Sequence, residues 1–246
     1  LTLKYAEQAN DLSKKLNHNN GFALSYKTLA RGFFTKGDYI KALQNYESSL
    51  AVYDSIGDKK GAANIYSNMG NIYFNKGDQV KALELFLKSL KIAEEIKDTL
   101  RIVTCLGNAG AVYALKETTY KEALDFLTRA YKLDEILQDE NAIGAIAVNI
   151  GEIYFAKKDL DSALFYYNRS LKAVDGTQDE PYTLNDIGQL YMEQGNFDKA
   201  IEIQRRAYDI AKKLDAKDYI CNSLISLAKT YMAKKEYDKA LSSYLE

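Results

Sequence analysis

The sequence is short of the residues that break helices and of those that hold metals. Its 246 residues include one proline, one histidine, two cysteines and no tryptophan. One histidine and two cysteines cannot supply the usual ligand sets of a zinc, haem or iron–sulfur site, so no metal or cofactor is expected. Two cysteines also do not make a disulfide framework. Charge of one sign is lacking too: 33 basic residues face 34 acidic ones, for a net charge of −1. That balance speaks against a nucleic-acid surface built on bulk positive charge. The longest apolar stretch, near Ala142 to Val148, falls far short of the ~20 residues that span a bilayer, so no membrane contact is expected of this segment. Leu1 to Leu16 is amphipathic and charged and does not read as a signal peptide. The compartment stays open, because few cysteines fit a cytoplasmic chain and a periplasmic one equally. What remains is a chain that is 47% hydrophobic and almost free of proline, the composition of a folded, all-helical protein.

Internal repetition is the dominant signal. A small residue recurs at Ala30, Gly70, Gly110, Gly151, Gly188 and Ala228. An aromatic follows three residues later each time, at Phe33, Tyr73, Tyr113, Tyr154, Tyr191 and Tyr231. An alanine then recurs at Ala42, Ala82, Ala123, Ala163, Ala200 and Ala240. Successive alanines are 40, 41, 40, 37 and 40 residues apart, with one extra residue between Lys116 and Tyr120 in the third repeat.

One unit shows the physics. Ala62, Ile65, Tyr66, Met69, Ile72 and Tyr73 recur at helical spacing and predict a helix, A, from about Gly61 to Asn75. The pair Gly77-Asp78 ends it. Val80, Leu83, Phe86, Leu87, Leu90 and Ile92 give the buried stripe of a second helix, B, from about Gln79 to Ile96. Gly70 and Ala82 let the two backbones approach, and Tyr73 fills the wedge between them. Neither helix buries both faces within its own unit, so stacked units are needed to close one core.

These residues resemble the tetratricopeptide repeat, whose large residue, small residue, tyrosine, alanine and aromatic match Tyr66, Gly70, Tyr73, Ala82 and Phe86, with Met69 and Ser89 at two further positions. Two features depart from that pattern: the period is near 40 rather than ~34, and the usual closing proline is replaced by turns such as IGDKKG, IKDTL and LQDEN. The long form is similar to repeats of kinesin light chains, Pins-type scaffolds, Rap-type peptide receptors and bacterial sensor proteins. The resemblance implies an all-α, right-handed α-α superhelical solenoid of about 13 helices in a single domain, 1–246. Residues 1–20 read as helix B of a truncated repeat. Full repeats follow at 21–60, 61–100, 101–141, 142–180 and 181–217, and 218–246 is incomplete. Such cut ends suggest a fragment of a longer protein. The loosest junction is expected at Asp175 to Glu180, with Pro181 opening the next helix.

The resemblance also implies that the A helices line a concave groove for a peptide or partner protein. Exposed positions counted from the small residue are Lys27, Thr28 and Arg31, then Asn64, Ser67, Asn68, Asn71 and Asn75, then Thr104 and Asn108. Further on they are Asn149 and Glu152, then Asn185, Asp186, Gln189 and Glu193, and finally Asn222, Ser226 and Lys229. Asn68, Asn108 and Asn149 share one position, two before the small residue. A carboxamide both donates and accepts, so it can pair with the N–H and C=O of an extended peptide; the alternative is that it bonds a neighbouring helix and fixes packing. Phe34, Phe74 and Phe155 stand one turn further on as candidate apolar pockets. Charge along these positions is graded, from Lys27 and Arg31 to Glu152, Asp186 and Glu193, which would orient a peptide of opposite polarity.

Other residues read as structural. Cys105 and Cys221 sit among apolar positions as buried thiols, and His18 lies in an exposed turn. Turn carboxylates have lysine partners, such as Asp38 near Lys41. No nucleophile–base pair or buried acid pair is visible, so no catalytic residue and no enzyme activity are expected. The leading expectation is a protein-interaction module, as such or as the sensor or scaffold part of a bacterial signalling protein. The alternatives are a Rap-type receptor for short signalling peptides and an architectural spacer or oligomerisation element. The sequence does not fix the oligomeric state.

Overall fold

In the computed structural model, residues 2–246 are described. They form thirteen α-helices and no strand among the described residues. Among the described residues no helix is long and apolar enough to cross a membrane. In chain order the helices are α1 (Thr2–Lys15), α2 (Asn19–Thr35), α3 (Tyr39–Ser55), α4 (Lys59–Asn75), α5 (Gln79–Glu95), α6 (Thr99–Tyr113) and α7 (Tyr120–Leu137). They continue with α8 (Glu140–Ala156), α9 (Leu160–Val174), α10 (Glu180–Glu193), α11 (Phe197–Lys213), α12 (Lys217–Ala233) and α13 (Tyr237–Leu245). The extra residue between Lys116 and Tyr120 forms a 3₁₀ turn, Glu117–Thr119. Pro181 occupies the first turn of α10, where its missing N–H costs no hydrogen bond. The chain divides into two compact units, Leu1–Ala130 and Tyr131–Glu246, the boundary falling within α7.

The turns explain the regularity. In the turns before α3, α4 and α5, a glycine with positive φ ends one helix and an aspartate opens the next: Gly37-Asp38, Gly57-Asp58 and Gly77-Asp78. Asp58 Oδ1 accepts from the Gly61 N–H at 2.8 Å, and Asp78 Oδ1 accepts from Lys81 N–H at 3.0 Å. Each aspartate thereby satisfies an amide that the first helical turn leaves unpaired. Asp98, Asp139 and Asp159 cap the same way. The turn carboxylates are therefore caps first; the lysine partner of Asp38, Lys41 at 3.0 Å, adds little at that exposure.

In the first unit α2 pairs with α3, and α4 with α5. Gly70 on α4 faces the Phe86 ring of α5, where an added Cβ would fall 2.6 Å from a ring carbon. Ala82, Ala109 and Phe86 are fully buried around that contact. Hydroxyls on the B helices lock the pairs: Ser49 Oγ donates to the Ala23 carbonyl at 2.8 Å and Ser89 Oγ to that of Ala63 at 2.7 Å. In the second unit α8 pairs with α9, α10 with α11 and α12 with α13. The same crossing recurs where Gly151 meets Tyr167 and Gly188 meets Gln204. Ile187, Leu190, Tyr167 and Ala163 form its buried centre.

Two expectations about the core fail. Val80 is 81% exposed, because it lies in the first turn of α5, outside the helix crossing; Leu85 is buried instead. Cys221 is exposed while Cys105 is buried. Cys221 lies two residues before the buried stripe of α12, which begins at Ser223 and Leu224.

Candidate partner-binding faces

Within the first unit, α2, α4 and α6 are the A helices. Half-buried Lys27 has its ammonium pKa pushed down by burial first, and then by the charges of Arg31 and Arg101. The Asp58 carboxylate acts the other way, so the positive charges of Lys27, Arg31 and Arg101 lie near one another with a carboxylate beside them. Arg101 Nη1 donates to Asn64 Oδ1, and Arg101 Nε stands 3.6 Å from the Asp98 carboxylate. So Asn64, expected as a free groove residue, is held within the chain. Asn68, Asn71 and Asn108 are half-buried. Among the described residues their carboxamides make no hydrogen bond within the chain, unlike Asn64. Ser67 is buried, not exposed as expected.

Within the second unit the A helices are α8, α10 and α12. Asn149 is half-buried with an equally unengaged carboxamide. Glu152 on α8 accepts from the Tyr182 hydroxyl of α10 at 2.6 Å. Asp186 lies beside it. Its Oδ2 is shielded from solvent with no hydrogen-bond partner, and its carboxyl is pushed up to about 8 by burial first and by Glu152 second. Burial thus holds the proton on Asp186 well above the usual aspartate range. Burial also pushes up the phenols of Tyr182 and Tyr167. Gln189 is exposed, and Glu193 pairs with Lys158 at 3.0 Å. Asn185 is the clear correction: it is buried, and its Nδ2 donates to Ser223 Oγ of α12 at 2.9 Å. Asn185 and Ser67, both three before the small residue, are buried; the position two before it is the more open one.

Phe34, Phe74 and Phe155 are half-buried. Phe34 packs on Tyr39, Phe74 joins the Ala82 cluster, and the Lys158 ammonium sits over Phe155. They are filled sites and not empty pockets. The residues missed by sequence reasoning are Arg101 and Tyr182. Both lie in the first turn of their helix, outside the offsets that the repeat suggested.

The profile of the tetratricopeptide repeat family matches residues 61–136 and 179–246, and a second profile of that repeat matches 145–173. A curated relative, the photosystem I assembly protein Ycf3 of Rippkaea orientalis, is 36% identical over 106 residues, which is 37% of this chain and 58% of the relative. The chain thus spans little more than half of that protein. Among solved structures, BtubC (BKLC) from P. vanneervenii has a TM-score of 0.76 at 21% identity, covering 87% of this chain and 91% of that one. A Rap protein complexed with competence and sporulation factor has a TM-score of 0.71 at 15% identity, covering 99% and 83%. These structural likenesses speak to the fold.

Proposed function

Since the chain belongs to the tetratricopeptide repeat family, a family of protein-interaction scaffolds, we propose that it binds an extended peptide segment of a partner protein on its A-helix faces. The carrying observation is that Asn68, Asn108 and Asn149 at one repeat position, and Asn71 one helical turn after Asn68, have carboxamides left unengaged within the chain. A row of donors and acceptors next to a partly shielded surface suits a peptide backbone, each bond contributing roughly 0.5–1.5 kcal/mol net. The positive charges of Lys27, Arg31 and Arg101 on the first unit favour an acidic stretch of that partner. The unengaged amides support binding over packing. On this reading the chain is a binding module, as repeats of this family generally are.

A narrower reading, a receptor for a short free peptide, draws on the Rap protein of similar fold that was solved with competence and sporulation factor. Selection of a random-peptide display library on the purified chain tests both. The proposal expects an enriched, acid-rich motif whose binding is lost in the Asn68→Ala, Asn71→Ala, Asn108→Ala variant. Enrichment that survives in the variant contradicts the asparagine face. A motif that binds only when embedded in a folded partner contradicts the free-peptide receptor.

A further inference from the structure

The second unit holds a cavity between its A helices that Asn149 does not line. It has a volume of about 580 Å³ and is lined by Ala145 and Val148 of α8, Ala173 of α9, Asp179 before α10, Tyr182 of α10 and Tyr219 of α12. It lies beside the one contracted repeat, 37 residues long. To make the short connection after α9, the buried Glu180 carboxylate turns inward. It accepts from the Gly176 N–H at 2.9 Å and from Arg206 at 2.5 Å. The connection is thus pinned by Glu180 and not by a capping aspartate.

Asp179 is consequently released. Unlike Asp58, Asp98 and Asp139, it makes no side-chain cap to its helix. Its carboxylate points instead to the cavity wall, accepting from the Tyr219 hydroxyl at 2.9 Å. A comparison by repeat register sharpens this. Counted back from the small residue of each A helix, Ala145 stands where Asn64 stands in the first unit, and Asp179 stands where Arg101 stands. In the first unit the Arg101 guanidinium reaches over to Asn64 and occupies that place. In the second unit an alanine and an aspartate leave it open, with the charge reversed.

We infer that this cavity is a binding site for a long basic side chain, arginine foremost, presented by a partner peptide. The lining fits that side chain in parts. Ala145, Val148 and Ala173 cover an aliphatic stem. The Asp179 carboxylate matches the guanidinium, and the phenol rings of Tyr182 and Tyr219 offer it planar faces. No basic residue lines the cavity, so no cationic side chain within it neutralises the carboxylate, which accepts only from the Tyr219 hydroxyl. A volume of this size is in the range of sites that take small ligands. The inference rests on the peptide-binding reading for the source of the side chain, but on a different surface from the asparagines.

The test uses two capped peptides, N-acetyl-Ala-Arg-Ala-amide and its citrulline counterpart, titrated into the isotope-labelled full chain and followed by amide NMR. Saturable shifts at Ala145, Val148, Ala173 and Thr177 are expected with the arginine peptide. Citrulline, which keeps the shape and loses the charge, is expected to bind at least about tenfold more weakly. Asp179→Asn should bring the arginine peptide down to the citrulline level. Ala145→Trp, at an exposed position, should abolish the shifts without lowering the melting temperature. Absence of saturable shifts at these residues, equal binding of both peptides, or unchanged binding by the Trp variant overturns the site. Failure here, with display binding still lost in the asparagine variant, leaves the A-helix reading intact. Success here with no effect of the asparagine change does the reverse.

Discussion

Asp186 and Asp134 hold protons at pH values where an ordinary aspartate has lost them. Burial, and then Glu152, pushes Asp186 up to about 8; burial, and then Asp139, pushes Asp134 up to about 6. In the unfolded chain both titrate near their ordinary value of 3.8. The folded state therefore binds more protons between that value and the raised ones, and stability falls as pH rises through this window. Asp186→Asn removes the upper part of the loss. We expect thermal melts at pH 8 to show the variant higher by roughly 2–4 °C or more, with no difference below pH 4. A variant that melts lower at pH 8 would mean that the ionised carboxylate stabilises the fold. This carboxyl was visible in the sequence as an A-helix position, but its neutral state was not. That state depends on Glu152 from another repeat and on the shielding of one oxygen. Adjacent Asn185 shows the same limit. One residue along a helix turns the side chain by about 100°, which is enough to move it from the open face to the Ser223 contact.

At the level of elements the sequence was most legible in the turns. Gly77-Asp78 marked a helix end from composition alone, and the structure explains both halves. Gly77 has φ of +79° with open space around it, so its role is conformational. Gly77→Ala should cost about 1 kcal/mol, and Asp58→Ala, which loses the cap on α4, about 0.5–2 kcal/mol. Urea denaturation measures both; an unchanged midpoint in either would remove that turn from the explanation. Lys97, Gln138 and Lys158 take the same left-handed position without being glycine, which is why a glycine search found only some of the turns. The connection after α9 was flagged by its shortened period. That it is pinned by buried Glu180 and Arg206 was hidden, because two charges 26 residues apart have no local signature.

At the level of the whole molecule, the repeat ladder carried the fold. Six agreeing registers of small residue, aromatic and alanine were enough to place thirteen helices, because each register residue sits at a helix crossing whose geometry admits few alternatives. The working surface was less legible. Exposed side chains answer to a partner that the sequence does not contain, and only contacts across repeats separate the engaged amides, Asn64 and Asn185, from the unengaged Asn68, Asn71, Asn108 and Asn149. The most direct test of a partner-binding A-helix face is affinity capture from a lysate of the source organism, read by mass spectrometry. The wild-type chain and the Asn68→Ala, Asn71→Ala, Asn108→Ala variant would be compared at equal melting temperature. Partners retained by the wild type and lost by the variant are the expected result. Identical partner lists from two equally folded baits would contradict it.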